Sequence, residues 1–567
     1  MGFLRLLALV FFVIFSGQLT ADDESFKVTV NGVAEAVASN IQAGLDGFKL
    51  SEREDRHFNQ RLEQSLQDSL QALGYYAASY TLLFDEARLI INVTSGDPVR
   101  WLDPQVRVNG SGSEHAEMVE SLQSIPFKAG DTLNHAQYEA LKSLLIDVSL
   151  RNGYRDAAYS KTTLLIDVEA GTALAMLTLE TGERYRIGNI SHTGSKIHDE
   201  VLDKLVVAKP GDWYDRRIVA KQYKAMLDSA YFANVQVDSV NDSQNNIVDL
   251  DIYLHDELKD KYMVGAGFGT DTGPRVRLNW NKPIVNKKGQ SLSADLELSK
   301  PIQRIEARYK FPWIHPVDNY LEWIVAYEHK LLDDTDSTVL KSGLNSIKET
   351  PKLKRTYGVS LEHEIYTQGS APLRSTTYVI PMANWSNSRL PGPDKNGYRY
   401  WLDLQASANF LGSDTEFLRG EVGLKYHYRM GPNNVWALRT ELGKLLANEA
   451  VLVPSSKRFF AGGAQSIRGF AYDSISPRNA NDELIGAKNL VTASLEHRWY
   501  FKGSWGVAAF VDSGKAFNDS SEPWRTGAGL GLRWSSGVGL ISVDVAVPID
   551  DPEYSGYQIH IYMGPPI

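Results

Sequence analysis

The stretch GGAQSIRGF, residues 462–470, sets a cation between Ile467 and Gly469, within a glycine-rich segment flanked by aromatic-rich runs. An arginine buried in such company costs several kcal/mol unless carboxylates meet it. Two carboxylates downstream have the right phase. In VTASLEHRW, Glu496 shares its alternating face with Thr492, Ser494 and Arg498, the polar side of a strand. In AAFVDSGKAF, Asp512 is out of phase with Val507, Ala509 and Val511 and so shares the opposite, inward side. A guanidinium fork spans two carboxylates in a way a lysine ammonium does not. Glycines at 462, 463 and 469 allow the backbone to run close to a wall. The chemistry these residues offer is fastening, with Arg468 as the anchor of a tucked-in loop and Glu496 and Asp512 as its lumenal partners.

Other motifs point to no reaction. GAGFGTDTG, residues 265–273, departs from the phosphate-loop spacing at Thr270, and no helical pattern follows it. Glycines in a strand that must bend account for it better. Asp333 to Asp336, DDTD, lacks the spacing and the downstream glutamate of a calcium loop and reads as a polar hairpin tip. Twelve histidines lie scattered without ligand spacing, and Ser466 lacks the nucleophile-elbow pattern. The chain has no cysteine, which removes disulfides, thiolate metal sites and thiol nucleophiles. A net charge of −10 disfavours nucleic acid as a partner. No catalytic residue, metal ligand or cofactor is expected.

The elements that must position Arg468 fall into two kinds. From Tyr262 onward the pattern is period two. YRYWLDLQASANF sets Tyr398, Tyr400, Leu402, Leu404, Ala406, Ala408 and Phe410 against Arg399, Trp401, Asp403, Gln405, Ser407 and Asn409. LRGEVGLKYHY repeats the design, with Leu418, Val422, Leu424, Tyr426 and Tyr428 against Arg419, Glu421, Lys425 and His427. Such strands, apolar and aromatic on one face and charged on the other, fit an antiparallel transmembrane β-barrel with lipid outside and a wet lumen. About sixteen of them fit the remaining length at roughly nineteen residues each. Between Leu446 and Ala487 no strand fits, which makes a loop of about forty residues, and loops this long usually carry function. It holds Arg468 and is the sixth on the outer side.

Before the barrel, ALGYYAA around Tyr75, RNGYRDA around Tyr154 and DSAYFAN around Tyr231 recur about every 80 residues. Each follows a helical stripe: Phe58, Leu62, Leu66, Leu70 and Leu73; Tyr138, Leu141, Leu145 and Val148; Val219, Tyr223, Leu227 and Ala230. KAGD (128–131) and KPGD (209–212) open the second and third of these helices, with Asp131 and Asp212 placed to cap. A short strand precedes and two follow, so each copy reads β-α-α-β-β. The first residues, with Arg5, the apolar run Leu6 to Phe15 and a small residue at Ala21, read as a signal peptide too short to span a bilayer.

With these features in place, the chain resembles the outer-membrane assembly superfamily that includes BamA, and within it the three-repeat translocation-and-assembly-module type. The resemblance rests on Arg468, Gly469 and Phe470 as the R-G-F motif of the sixth outer loop, and on Phe510, Asp512 and Gly514 as the F-x-D-x-G strand motif. Glu496 stands for the family's inward glutamate. It implies three periplasmic α+β POTRA domains (22–99, 100–183 and 184–258) after a signal peptide (1–21), then a 16-stranded antiparallel transmembrane β-barrel (259–567). It implies insertion or translocation of client outer-membrane proteins such as autotransporters, without enzyme activity, nucleotide or cofactor. The implied location is the bacterial outer membrane, in contact with its lipid, with a TamB-like inner-membrane-anchored partner. Client strands would add to POTRA sheet edges and to a seam between the first and last barrel strands. Gly265, Gly267 and Gly269 weaken one side of that seam; Gly556, Ile559 and Ile561 mark the other, which ends at Gly564, Pro565 and Pro566. A passive secretion pore of two-partner type and a structural membrane tether share the same features.

Overall fold

The computed structural model describes residues 27–49, 53, 55–85, 88–389, 396–448, 452–536, 539–550 and 556–564. The expected signal peptide and Pro565 and Pro566 lie outside them. The chain divides into two compact units, one of residues 1–191, 208–220 and 238–251, the other of 192–207, 221–237 and 252–567. Half of the third repeat therefore goes with the barrel unit.

The first repeat runs β1 (Lys27–Asn31), α1 (Glu35–Leu45), α2 (Phe58–Gln71), β2 (Ser79–Asp85) and β3 (Arg88–Thr94). Val37, Ile41 and Leu45, four apart, and Phe58, Leu62, Leu66 and Leu70, likewise, are all buried. They pack on Leu89, Ile91 and Val93 of β3, which lies between β1, parallel to it, and β2, antiparallel. The second repeat has the same plan: β4 (Arg100–Trp101) and β5 (Gln105–Asn109), α3 (Ala116–Gln123), α4 (His135–Arg151), β6 (Ala158–Asp167) and central β7 (Thr172–Glu180). Trp101 stacks on Phe127 at 4.1 Å between ring centres. The third is β8 (Arg186–Thr193), α5 (Asp199–Leu202), α6 (Arg216–Asp228), β9 (Phe232–Asp242) and β10 (Ile247–Asp256).

Two expectations for the repeats change. Asp131 and Asp212 do not cap helices. Each closes a tight turn that pairs with the start of its sheet: Gly130 and Trp101 exchange backbone bonds through Asp131, as Gly211 and Ile187 do through Asp212. Gly130 (φ 88°) and Gly211 (φ 90°) supply the left-handed residue that this turn requires. The capping oxygens come later, from Asn134 to the Ala136 amide (2.9 Å) and from Asp215 to the Arg217 amide (2.7 Å). The third stripe is also rotated. Tyr223 and Leu227 are exposed, while Gln222 and Met226 are buried. Gln222 turns inward because the preceding loop needs polar partners: its Nε2 donates to the Leu205 carbonyl, and its Oε1 accepts the Val207 amide.

The second unit holds a closed antiparallel barrel of sixteen strands. They are β11 (Lys261–Gly269), β12 (Gly273–Lys282), β13 (Ser291–Ser299), β14 (Ile302–His315), β15 (Asn319–Leu332), β16 (Thr335–Thr350), β17 (Leu353–Gln368) and β18 (Arg374–Arg389). They continue as β19 (Gly397–Ser407), β20 (Phe417–Met430), β21 (Asn434–Leu446), β22 (Asn489–Lys502), β23 (Trp505–Phe517), β24 (Arg525–Ser536), β25 (Gly539–Pro548) and β26 (Gln558–Gly564). The burial pattern is inverted relative to a water-soluble sheet. On β17, Val359 and Leu361 are 51% and 54% exposed, while Ser360, Glu362 and Glu364, between and beyond them, are 2%, 3% and 0% exposed. Apolar side chains facing outward around a barrel are what a lipid surround demands. Among the described residues, no helix is long and apolar enough to cross a membrane.

Candidate functional site: a tethered loop and the barrel seam

The segment between β21 and β22 returns into the barrel, and Arg468 sits 4% exposed at its deepest turn. Its Nε and Nη2 donate to the two oxygens of Asp512, at 2.7 and 2.9 Å, a side-on bidentate pair. Its backbone amide donates to the same carboxylate at 3.0 Å. Nη1 donates to Glu496 at 2.6 Å and to Asp544 at 3.1 Å, and Nη2 to Ser494 at 3.3 Å. The guanidinium carbon lies 3.3 Å from the centre of the Phe510 ring, close enough for the ring face to attract the cation. Arg533 completes the charge balance by bridging Glu496 (2.9 Å) and Asp544, while Arg498 bonds Glu496 from the side at 2.6 Å. Buried carboxylates and guanidinium groups thus meet directly, which is how a buried ionic cluster avoids an uncompensated charge.

The structure brings Arg468, Glu496, Asp512 and Phe510 together, and Gly469 and Phe470 continue the turn. Phe470 lies in the apolar cluster of the loop. It is 1% exposed and packs with Ile467, Phe459 and Ala461 of the loop against Tyr378 and Ile380 of β18. Gly514 lies where a Cβ would stand 2.2 Å from the Val491 carbonyl, so its strand approaches β22 as only glycine permits. Asp544 is a member that sequence reasoning missed, although it is out of phase with Val543, Val545 and Val547 as Asp512 is with its neighbours. A run of glycines on β24 was missed too. A Cβ on Gly527 would stand 1.8 Å from the Arg468 carbonyl, one on Gly529 2.5 Å from the Phe510 ring, and one on Gly531 1.8 Å from Asp544. The alternation G-A-G-L-G-L at 527–532 is the visible sign: three glycines on the inward phase leave the groove in which the loop lies.

The loop has a second fastening, also missed. Lys457 Nζ meets Glu362 at 2.6 Å, and Ser456 donates to Glu364 at 2.6 Å. Both carboxylates lie on the inward phase of β17.

The barrel closes weakly. Among the described residues, β11 meets β26 through one ladder pair, Gly269 with Tyr562, whereas β11 pairs β12 along its whole length. Beside that pair the Thr270 amide donates to the Ile561 carbonyl (3.1 Å), the Ile561 amide to Thr270 Oγ1 (3.2 Å), and Arg275 to the Met563 carbonyl (2.8 Å). Tyr262, Met263 and Val264 on the same strand are 66%, 65% and 74% exposed. Gly265 and Gly267 lie on this open stretch, Gly269 at the pair, and Ile559 and Ile561 on β26. Gly556 does not belong to the seam as expected; it precedes β26 in the turn. Among the described residues, Gly269 stands opposite Tyr562.

Residues 263–565 match the Omp85 superfamily domain, 27–95 match the POTRA domain of the type called TamA domain 1, and 185–256 match a POTRA domain described as a surface antigen variable number repeat. The chain is 33% identical over 149 residues (25% of this chain, 19% of the relative) to the outer membrane protein assembly factor BamA of Nitratidesulfovibrio vulgaris. It is 20% identical over 402 residues (64% and 52%) to the BamA of Neorickettsia risticii. It thus spans about half or less of the length of these curated relatives. The crystal structure of BamA from Haemophilus ducreyi lacking POTRA domains 1–3 superposes with a TM-score of 0.70 at 17% identity, over 82% of this chain and 99% of that one, a likeness of fold. The chain belongs to the Omp85 superfamily, as an outer-membrane β-barrel with N-terminal POTRA domains in the periplasm.

Proposed function

We propose that this protein is an outer-membrane assembly factor of the TamA type that inserts client β-barrel proteins, autotransporters among them, by templating their strands at its own seam. The supporting observation is the ladder between β11 and β26, one pair long among the described residues, beside a first strand on which Tyr262, Met263 and Val264 are exposed. An unpaired edge is a template for another strand, and in lipid it is a costly one to leave bare. A client strand that adds there satisfies both partners' backbone groups without nucleotide. The POTRA sheets offer the same chemistry at β2, β6 and β9, the strands flanking each central one. The three repeats and the TamA-type first domain support a TamB-like partner anchored in the inner membrane. Passage of a substrate straight through the lumen fits less well, because the apolar cluster of the loop, with Phe459, Ile467 and Phe470, lies against the inward side of β18.

A photo-crosslinking residue at Val264 tests the reading during synthesis of an autotransporter. Crosslinks between Val264 and a terminal strand of the nascent barrel support templating. Crosslinks from the inward Ser360 with none from Val264 contradict it.

A further inference from the structure

The loop does more than lie on the wall: it crosses the seam. Between Gly463 and Gly469 it bonds in turn with strands on both sides of the closure. Arg439 of β21 donates to the Ser466 carbonyl (2.5 Å) and Arg468 engages β22, β23 and β25. The Arg468 carbonyl fills the space left by Gly527 of β24. The Gly469 amide then donates to His560 Nε2 on β26, at 2.9 Å. From the same segment, the Ala464 amide donates to Asp271 Oδ2, at 2.7 Å, in the turn between β11 and β12. The side chains of Asp271 and His560 face each other across the seam at 3.7 Å. Because Nε2 accepts the Gly469 amide, a neutral His560 carries its proton on Nδ1, the nitrogen nearest Asp271.

We infer that Asp271 and His560 are positioning residues through which the Arg468 loop clasps the seam and holds it shut. The loop supplies one backbone donor to each side: Ala464 to the first hairpin and Gly469 to the last strand. Those bonds stand beside a ladder that is one pair long among the described residues, and they add to what joins β11 to β26. Gly469, at φ 95°, turns the chain so that its amide reaches the histidine, and Arg468, one residue before, fixes the height of that turn. The clasp makes opening conditional on the loop: what loosens the Arg468 cluster releases both sides at once. This inference deepens the templating reading but concerns only whether the seam is held, so its test reads the seam and not the client.

With no native cysteine, spin labels at Val264→Cys and Ile559→Cys report the distance across the seam in full-length protein in lipid nanodiscs. Asp271→Ala with His560→Ala removes both acceptors, and the share of molecules in the wider, open population should rise about tenfold for two lost hydrogen bonds. Asp271→Asn and His560→Gln keep an acceptor at each place and should restore the narrow distribution. Heat-modifiable gel mobility verifies that every variant retains its barrel. An unchanged distribution in the double alanine variant overturns the clasp, as does equal widening in the acceptor-retaining variants, which would signal general loosening. If the seam widens as expected while client insertion is unaffected, the clasp stands and the templating proposal fails.

Discussion

At the residue scale, the organising fact is that Arg468 is met from three strands at once. Arg468→Ala removes the one guanidinium that bonds Glu496, Asp512 and Asp544 together, and breaking such a buried arrangement costs about 3–5 kcal/mol. The barrel ladder does not depend on that cation, so the loss should appear in the loop: limited proteolysis within residues 452–486 should speed up while heat-modifiable barrel mobility persists. Unchanged nicking would show that the other contacts hold the loop alone. Arg468→Lys should recover only part of the protection, since an ammonium cannot make the side-on pair with Asp512 while reaching Glu496. Gly527→Ala should produce the same nicking with Arg468 intact, because its methyl would stand 1.8 Å from the Arg468 carbonyl; wild-type protease resistance there would contradict the close approach. Glu496 and Asp512 were legible because a carboxylate on the polar phase of an otherwise apolar strand has few places to point. The glycines of β24 were not read, since an absent side chain discloses nothing until the neighbour filling its space is known.

At the scale of elements, the repeats are joined by a recurring device. Gly74 and Gly153, at φ 89° and 98°, end the second helix of their repeats where a Cβ would strike a backbone carbonyl of the next, Leu133 and Tyr214 respectively. Around Gly153 the joint is ionic as well. Arg217 donates to Glu117 at 2.8 Å and to Asn152 at 3.0 Å, and Asn152 in turn donates to Glu117 at 2.9 Å. The Asn152 hydrogen bond, with Arg217 and Arg151 beside it, holds the Glu117 carboxyl below its usual range. A depressed carboxyl contributes stability that is present above its unfolded value and lost as pH falls through its folded one. Hydrogen exchange in the Gly153–Arg217 region should therefore accelerate as pH drops below about 4.5, after correction for the intrinsic rate. In Glu117→Gln that step should vanish, and an identical step in the variant would place its cause elsewhere. Salt should blunt the effect, because the pair is largely exposed. The helices themselves were plain in the stripes of the first two repeats, where apolar residues recur at the helical period. The third misled because a buried glutamine serves a neighbouring loop, and a polar side chain with that duty is invisible to periodicity. The caps misled because KAGD and KPGD satisfy a sheet edge four residues before the helix begins.

At the scale of the whole molecule, alternation with the apolar face outward made the barrel legible, and sixteen strands follow from length once the strand period is known. The weakness of closure was legible only in part. Three glycines in YMVGAGFG mark a strand with little hold on a neighbour, but the register that sets Gly269 opposite Tyr562 is a tertiary property that no local pattern encodes. That register also identifies where a covalent lock belongs, at Gly269 and Tyr562, the pair that faces across the seam. The proposed function requires this seam to open for a client. The most direct test introduces Gly269→Cys with Tyr562→Cys into the cysteine-free chain and measures insertion of an autotransporter barrel in vesicles with the disulfide formed and after reduction. Oxidation should abolish insertion and reduction should restore it to the level of either single variant. Full insertion by protein shown to be completely oxidised would contradict the claim.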